Sequence, residues 1–247
     1  MIYFSHLLDD NEMKQLLKNP GTGLESIEFS ISENLDHLDQ KLQAYEKRLA
    51  YMGYPELTLH GPFLDLNPAA FDSMVAEATR IRYEQSYLAA KKLGAKKLIL
   101  HTCFLPDVYM IPGWADRVAD FYRRFLADKD DTVQILLENV LDPYPTPVWD
   151  IAAQLAHPAV GLCLDVGHAN CYSEVAMSEW CRILEGKVRH LHVHDNDGTK
   201  DAHLALGEGT IPAEPFIPLL KVADCTVECF NQRDCQLTYD KILTIKG

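Results

Sequence analysis

Two glutamates close apolar runs in this chain, and each demands a partner. Glu138 ends VQILLE and Glu228 ends CTVE. A carboxylate at the end of a buried run carries a desolvation cost that a cation or several hydrogen bonds must meet. The same ending recurs along the chain: LTLH closes on His60, LILH on His101 and VGLCLD on Asp165, and VRHLHVH carries His192 near its end. Three carboxylates gathered on one face repel one another and raise each other's pKa unless a divalent ion sits between them. Glu138, Asp165, His192 and Glu228 are therefore the expected ligands of at least one divalent ion, zinc or manganese. His168 lies three residues past Asp165, where the chain can turn back over the same place. His192 and His194, two apart, share one side of a strand; His192 is the expected ligand, and His194 either lines the pocket or stacks against a helix. Gly207-Glu208-Gly209 reads as a tight turn rather than a phosphate cradle, because no Lys-Ser/Thr follows it.

The elements that position these residues alternate. Eight short apolar runs, Met1–Phe4, Leu24–Phe29, Glu56–His60, Lys97–His101, Val133–Glu138, Val160–Asp165, Val188–His194 and Cys225–Glu228, are separated by amphipathic stretches. Phe71, Met74, Val75, Ala78, Ile81 and Leu88 share one helical face after a start at Asn67-Pro68. So do Leu35, Leu38, Leu42, Tyr45 and Leu49, and later Trp114, Val118, Phe121, Phe125 and Leu126. Thr146-Pro147 and Ser178 read as further helix starts, prolines after Ile211 keep the next helix short, and the last runs from about Gln236 to Ile245. Eight strands each followed by a helix predict a (β/α)8 TIM barrel, a single domain over residues 1–247, with the six strand-end residues at its C-terminal mouth. An open doubly wound sheet is the alternative, but the Gly-rich first turn that marks one is missing.

The 247 residues carry 36 acids against 23 Lys and Arg, a formal charge of −13. That balance argues against nucleic acid or an anionic membrane as partner, since no basic stripe exists to release counterions. No apolar run reaches the ~18 residues of a membrane span, and MIYFSHLLDD has no basic n-region or cleavage site. Seven cysteines without a C-x-x-C pair read as reduced, small apolar residues, which excludes a four-cysteine zinc site and points to a cytoplasmic protein.

LTLHGPF, LILH, LLENV, GLCLDVGHAN, HVHDNDGTKDAHLALGEG and TVECF, in that order, resemble the xylose-isomerase-like barrel superfamily. It holds sugar isomerases and epimerases as well as abasic-site nucleases of the endonuclease IV type. The resemblance runs from about Leu57 to Cys229. Its epimerase-like branch implies one ion on Glu138, Asp165, His192 and Glu228. Its nuclease branch implies three zinc ions on those four together with His60, His101, His168, Asp201 and His203, and all nine positions hold a matching residue type.

The loops weigh between the branches. Lys200 and Arg233 are the cations of the expected mouth, against Asp9, Asp10, Glu33, Asp65, Asp107, Asp142, Asp195, Asp197 and Glu208. Such a rim repels a duplex backbone and offers no clamp for a phosphosugar. The first expectation is accordingly a metal-dependent isomerase or epimerase of a small, unphosphorylated sugar or hydroxy-carbonyl compound. The ion would stabilise an enediolate, Glu138 and Glu228 would move the carbon-bound proton, and His168 would hold a substrate oxygen. Tyr109, Trp114 and Phe63 are the candidates for packing against a sugar face. A zinc phosphodiesterase of the abasic-site endonuclease kind is the alternative, and a sugar-binding barrel without turnover is a third class. The number of ions bound separates them; oligomeric state is left open.

Overall fold

Strands buried on both faces are short, nearly continuous apolar runs, and eight of them close here into one parallel barrel in sequential order. The computed structural model describes residues 1–247. Its strands are β1 Ile2–Ser5, β2 Thr22–Ser26, β3 Leu57–His60, β4 Lys97–His101, β5 Gln134–Glu138, β6 Val160–Asp165, β7 Val188–Val193 and β8 Asp224–Val227. The helices are α1 Asp10–Leu16, α2 Ser32–Asp36, α3 Leu38–Met52, α4 Ser73–Leu93, α5 Trp114–Leu126, α6 Pro145–Leu155, α7 Val166–Tyr172, α8 Met177–Leu184, α9 Ile217–Val222 and α10 Gln232–Lys246. The expected TIM barrel is what forms, and the register does the positioning. It pairs His101 with Glu138 across β4 and β5, and Asp165 with His192 across β6 and β7.

Several boundaries and faces differ from the sequence reading. β2 ends at Ser26, and Phe29 is instead buried in a 3-10 turn over Glu28–Ser30. The helix expected from Asn67 starts at Ser73. Asp72 supplies its cap, accepting from the Met74 and Val75 N–H groups, while Asn67 Oδ1 accepts from Ala69 in a local turn. The apolar face read through Phe71 and Leu88 is turned outward: Phe71 is 78% and Met74 81% exposed. α4 buries Thr79, Tyr83, Ser86, Ala89 and Ala90 instead. Small side chains let the helix lie close against the barrel, and Tyr83 anchors it in a ring cluster with Phe121, Tyr122 and Phe125 of α5. Trp114, expected at the rim, is wholly buried against Phe104 at the start of α5. The short helix after Ile211 is found as α9, preceded by a 3-10 turn.

The long loop after β7 is held by one buried carboxylate. Asp195 Oδ1 accepts from the N–H groups of Asn196 (2.8 Å) and Ile211 (3.1 Å), and Oδ2 accepts from Gly207 (2.7 Å). Its backbone also pairs with Leu204. Gly207 has φ +82°, the turn expected there. At Gly209 a Cβ would lie 2.2 Å from the Asn196 carbonyl, so only glycine fits. Asp195→Ala should cost about 3 kcal/mol, because three backbone donors lose a charged acceptor. Denaturant unfolding of the two proteins measures it, and local protease sensitivity should appear between Asn196 and Thr210.

Candidate metal centre

Glu138 and His101 end neighbouring strands, His60 ends β3, and Glu228 follows β8, so four side chains open into one cavity of about 420 Å³ at the barrel mouth. Asp165 and His192 lie beneath it, fully buried. α7 begins directly after Asp165, whose Oδ1 caps it by accepting from the His168 N–H at 2.7 Å. That turn carries His168 over the cavity, and the Asp195-held loop brings Asp201 and His203 to the same wall. All nine side chains expected as ligands thus converge.

They fall into three groups. Glu138 Oε2 lies 3.3 Å from His60 Nε2 and 3.6 Å from His101 Nε2. Its other oxygen, Oε1, is 3.2 Å from His192 Nδ1, which also faces Asp165 Oδ2 at 3.8 Å and Glu228 Oε1 at 3.7 Å. Asp201 Oδ2 stands between His168 Nε2 (3.3 Å) and His203 Nε2 (2.9 Å). Glu138 therefore presents one oxygen to each of the first two groups.

The histidines are set in the tautomer that ligation needs. His60, His168 and His203 each place Nδ1 on a backbone carbonyl, of Gly61 (2.9 Å), Asn139 (3.0 Å) and Glu228 (2.7 Å). A carbonyl cannot donate, so Nδ1 carries a hydrogen in each, and Nε2 is the nitrogen that faces the cavity and would offer its lone pair once an ion displaces its proton. Meanwhile Glu138 Oε2, His192 Nδ1 and Asp201 Oδ1 are buried without a hydrogen-bond partner. Buried polar atoms of this kind are costly when left alone, and a divalent cation is the group that satisfies carboxylate and imidazole donors together. The residues fit zinc or manganese.

Charge distribution agrees. Burial pushes the Glu138 carboxyl up, but the facing imidazoles of His192 and His101 hold it well below the usual range. Asp165 is pushed up by burial too and held below its usual value by His168 and His194. Burial drives His101 down to about 3. His203, which burial lowers, is nonetheless held up at about 9 by the Asp201 carboxylate.

Other expectations at the mouth are revised. His194 stacks on His203 with ring centres 4.0 Å apart and places Nε2 3.2 Å from Asp165 Oδ2. Phe63 stacks on His101 and lines the cavity, whereas Tyr109 stacks on Phe71 outside it. Of the rim acids, Asp195 is buried in its loop, Asp142 is buried against Thr102 Oγ1, and Glu208 pairs with Arg233. Arg48 on α3 was not read as a mouth cation; it comes within 3.2 Å of His6 Nε2 but is held by Asp10 and Glu28. Two further residues escaped the sequence reading. Asn139 grips Asp165 through its backbone N–H (2.9 Å) and carbonyl (3.0 Å). Glu25 sits fully buried 3.0 Å from His192 Nε2. Its signal was available, since it interrupts an apolar run as Glu138 does, but a strand drawn from Leu24 to Phe29 placed it away from the strand's end.

Two outcomes test the metal-free site. His203 has its pKa raised on folding, so the stability it contributes is full below pH 6.5 and lost as pH rises through about 9. Melting of chelator-treated protein should fall over that window, and His203→Asn should flatten the fall. Gly167 is the second: a Cβ there would lie 1.9 Å from His194 Cε1. Gly167→Ala should cost about 1–3 kcal/mol and displace His194 from His203, visible as a shift of both ring resonances.

The profile of the xylose isomerase-like TIM barrel family matches residues 21–242. An uncharacterized protein of Methanocaldococcus jannaschii is 27% identical over 198 residues, spanning 73% of this chain and 65% of that protein. The chain thus covers just under two thirds of that relative's length. A probable endonuclease 4 of Mycobacterium leprae is 27% identical over 183 residues, 69% of this chain and 71% of its own. Among solved structures, a D-tagatose 3-epimerase-like protein superposes with a TM-score of 0.77 at 22% identity, over 99% of this chain and 97% of that one. The match over nearly the whole length, on a closed eight-stranded barrel with its polar side chains gathered at the mouth, places the chain in the xylose isomerase-like TIM-barrel family.

Proposed function

We propose that this protein is a multinuclear metal-dependent hydrolase of a small phosphodiester. The observation that supports the reading is the set of nine donors in three groups, the first two of which share Glu138. A single-ion isomerase uses four of them as ligands and His168 for a substrate oxygen, and leaves His60, His101, Asp201 and His203 without a role. When bound, divalent ions supply Lewis acidity toward a phosphoryl oxygen and ease formation of a nucleophile from water at neutral pH. Glu138, Asp165, His192 and Glu228 would hold one ion, His60 and His101 with Glu138 a second, and His168, Asp201 and His203 a third.

The remaining chemistry belongs to the walls. No Lys or Arg lines the cavity, so the charge that meets a phosphate comes from its floor. Nine ligands with four carboxylates and three dications leave a small positive excess, which suits a monoanionic diester. Phe63, Val140 and Phe230 supply apolar parts of the wall. A second cleft of about 540 Å³ shares Phe63, His101 and Val140 with the first and continues along Leu64, Leu66, Phe104 and Leu105. An apolar substituent fits that cleft; a bare sugar, whose hydroxyls each need a partner, fits it poorly. A duplex fits worst, since Arg48 and Arg233 are already neutralised by acids, and Lys200, exposed and without an ion pair, is one cation where phosphate contacts need several.

A second reading retains one specific support. Glu138 and Glu228 approach the same ring nitrogen of His192 from different strands, as the two bases of a sugar isomerase or epimerase would flank one carbon. Elemental analysis after zinc or manganese loading decides between the two. Two or three ions per chain, with bis(p-nitrophenyl) phosphate hydrolysis that falls at least ~100-fold in Glu228→Gln, is the expected result. One ion per chain, together with deuterium uptake from heavy water into a ketose, would establish the isomerase instead.

A further inference from the structure

His192 differs from three of the other candidate ligand histidines. His60, His168 and His203 rest on backbone carbonyls; His192 turns Nε2 away from the cavity, into the barrel, toward Glu25 Oε1 at 3.0 Å. Both atoms are buried and neither has another partner. Behind Glu25 runs a continuous polar chain to the far end of the barrel. Thr226 Oγ1 donates to Glu25 Oε2 at 2.6 Å, His190 Nε2 lies 2.7 Å from Thr226 Oγ1, and Lys97 Nζ lies 3.1 Å from His190 Nδ1. Lys97 itself is anchored by Asp224 Oδ2 at 2.6 Å.

The direction of every hydrogen in that chain follows from its first member. An ammonium has donors only, so His190 Nδ1 accepts and His190 Nε2 carries the hydrogen. Nε2 donates to the Thr226 oxygen, which leaves the single hydroxyl hydrogen for Glu25. The carboxylate then accepts on its other oxygen from His192 Nε2–H, so that Nδ1, which faces Glu138, Asp165 and Glu228, is the nitrogen whose lone pair is offered when an ion takes the place of its proton. Glu25, His190 and His192 lie close enough together to hold a metal themselves. The Lys97 ammonium beside His190 opposes a cation there, and the carboxylate has this other use.

We propose that Lys97, His190, Thr226 and Glu25 form an interior relay that fixes the tautomer and direction of His192, with Glu25 as the positioning residue for the metal centre. The proposal deepens the reading above in one respect: it rests on ligation by His192 and is indifferent to hydrolysis or isomerisation. A carboxylate behind a ligand imidazole raises its basicity and locks its rotation, and losing such a partner typically weakens metal binding about 10–100-fold.

Zinc affinity by chelator competition, ions per chain, and long-range proton–nitrogen NMR of histidine-labelled zinc-loaded protein test it. Wild type should show His192 protonated on Nε2 and ligating through Nδ1. Glu25→Gln should lose at least ~10-fold in affinity for one ion while the others bind as before. Thr226→Val, which keeps the shape and removes the relay hydroxyl, should lose part of the same affinity without a change in fold by circular dichroism. A deprotonated His192 Nε2 in wild type overturns the relay whether or not any variant folds. So does zinc affinity in both folded variants equal to that of wild type. A wild type that binds no zinc overturns the metal centre along with it, and is distinguished by that result.

Discussion

Everything at the mouth of this barrel follows from the cost of taking carboxylates out of water. Glu138 and Asp165 are at most 1% exposed, and an isolated ion so placed is prohibitively unfavourable. The fold answers by surrounding them with imidazoles, which are small, can donate or accept, and change their charge near neutral pH. Glu138 alone faces His60, His101, His168 and His192 within 3.6 Å. This is a balance of donors rather than a stabilising ion-pair network, and it leaves lone pairs converging on the same space. Such an arrangement suits a cation.

That balance demands tight geometric control, and the control lies outside the donor set. Asn139 grips the backbone of Asp165 from the neighbouring strand and takes the His168 ring on its own carbonyl. Asp195 spends a buried carboxylate on three backbone N–H groups, so that the loop bearing Asp201 and His203 has one shape. Gly167 lets His194 pack onto α7 and against His203. The barrel interior, usually filled by branched apolar side chains, here holds Lys97, His190, Thr226 and Glu25 instead. Polar groups that are each satisfied in turn make a rigid column under His192, where an apolar filling would leave its ring free to rotate.

The chain by itself determined the barrel and singled out most of the polar side chains that meet at its mouth. Alternation of short apolar runs with amphipathic stretches is a one-dimensional pattern, and closure of eight parallel strands is the arrangement that buries all the runs at once. Glu138, Asp165 and Glu228 stood out as candidates because a charge ending an apolar run is anomalous on energetic grounds alone, and the structure brings them to one place with His192. Which face of α4 turns inward was not legible. Its apolar stripe through Phe71 and Met74 is stronger than the inward face, which is made of Thr79, Ser86, Ala89 and Ala90 with Tyr83 as its one large anchor. Trp114 read as a rim aromatic because sequence position marks a loop's end, not the depth of the residue. Asp142 and Asp195 counted as surface acids although both are buried, since their hydrogen-bond partners come from distant parts of the chain or from loop curvature. Tertiary structure alone decided that Glu25 stands behind His192, 167 residues away in sequence. Periodicity says which residues lie inside, while partnership across a closed barrel is set by register and ring orientation, and these exist only once the strands have closed.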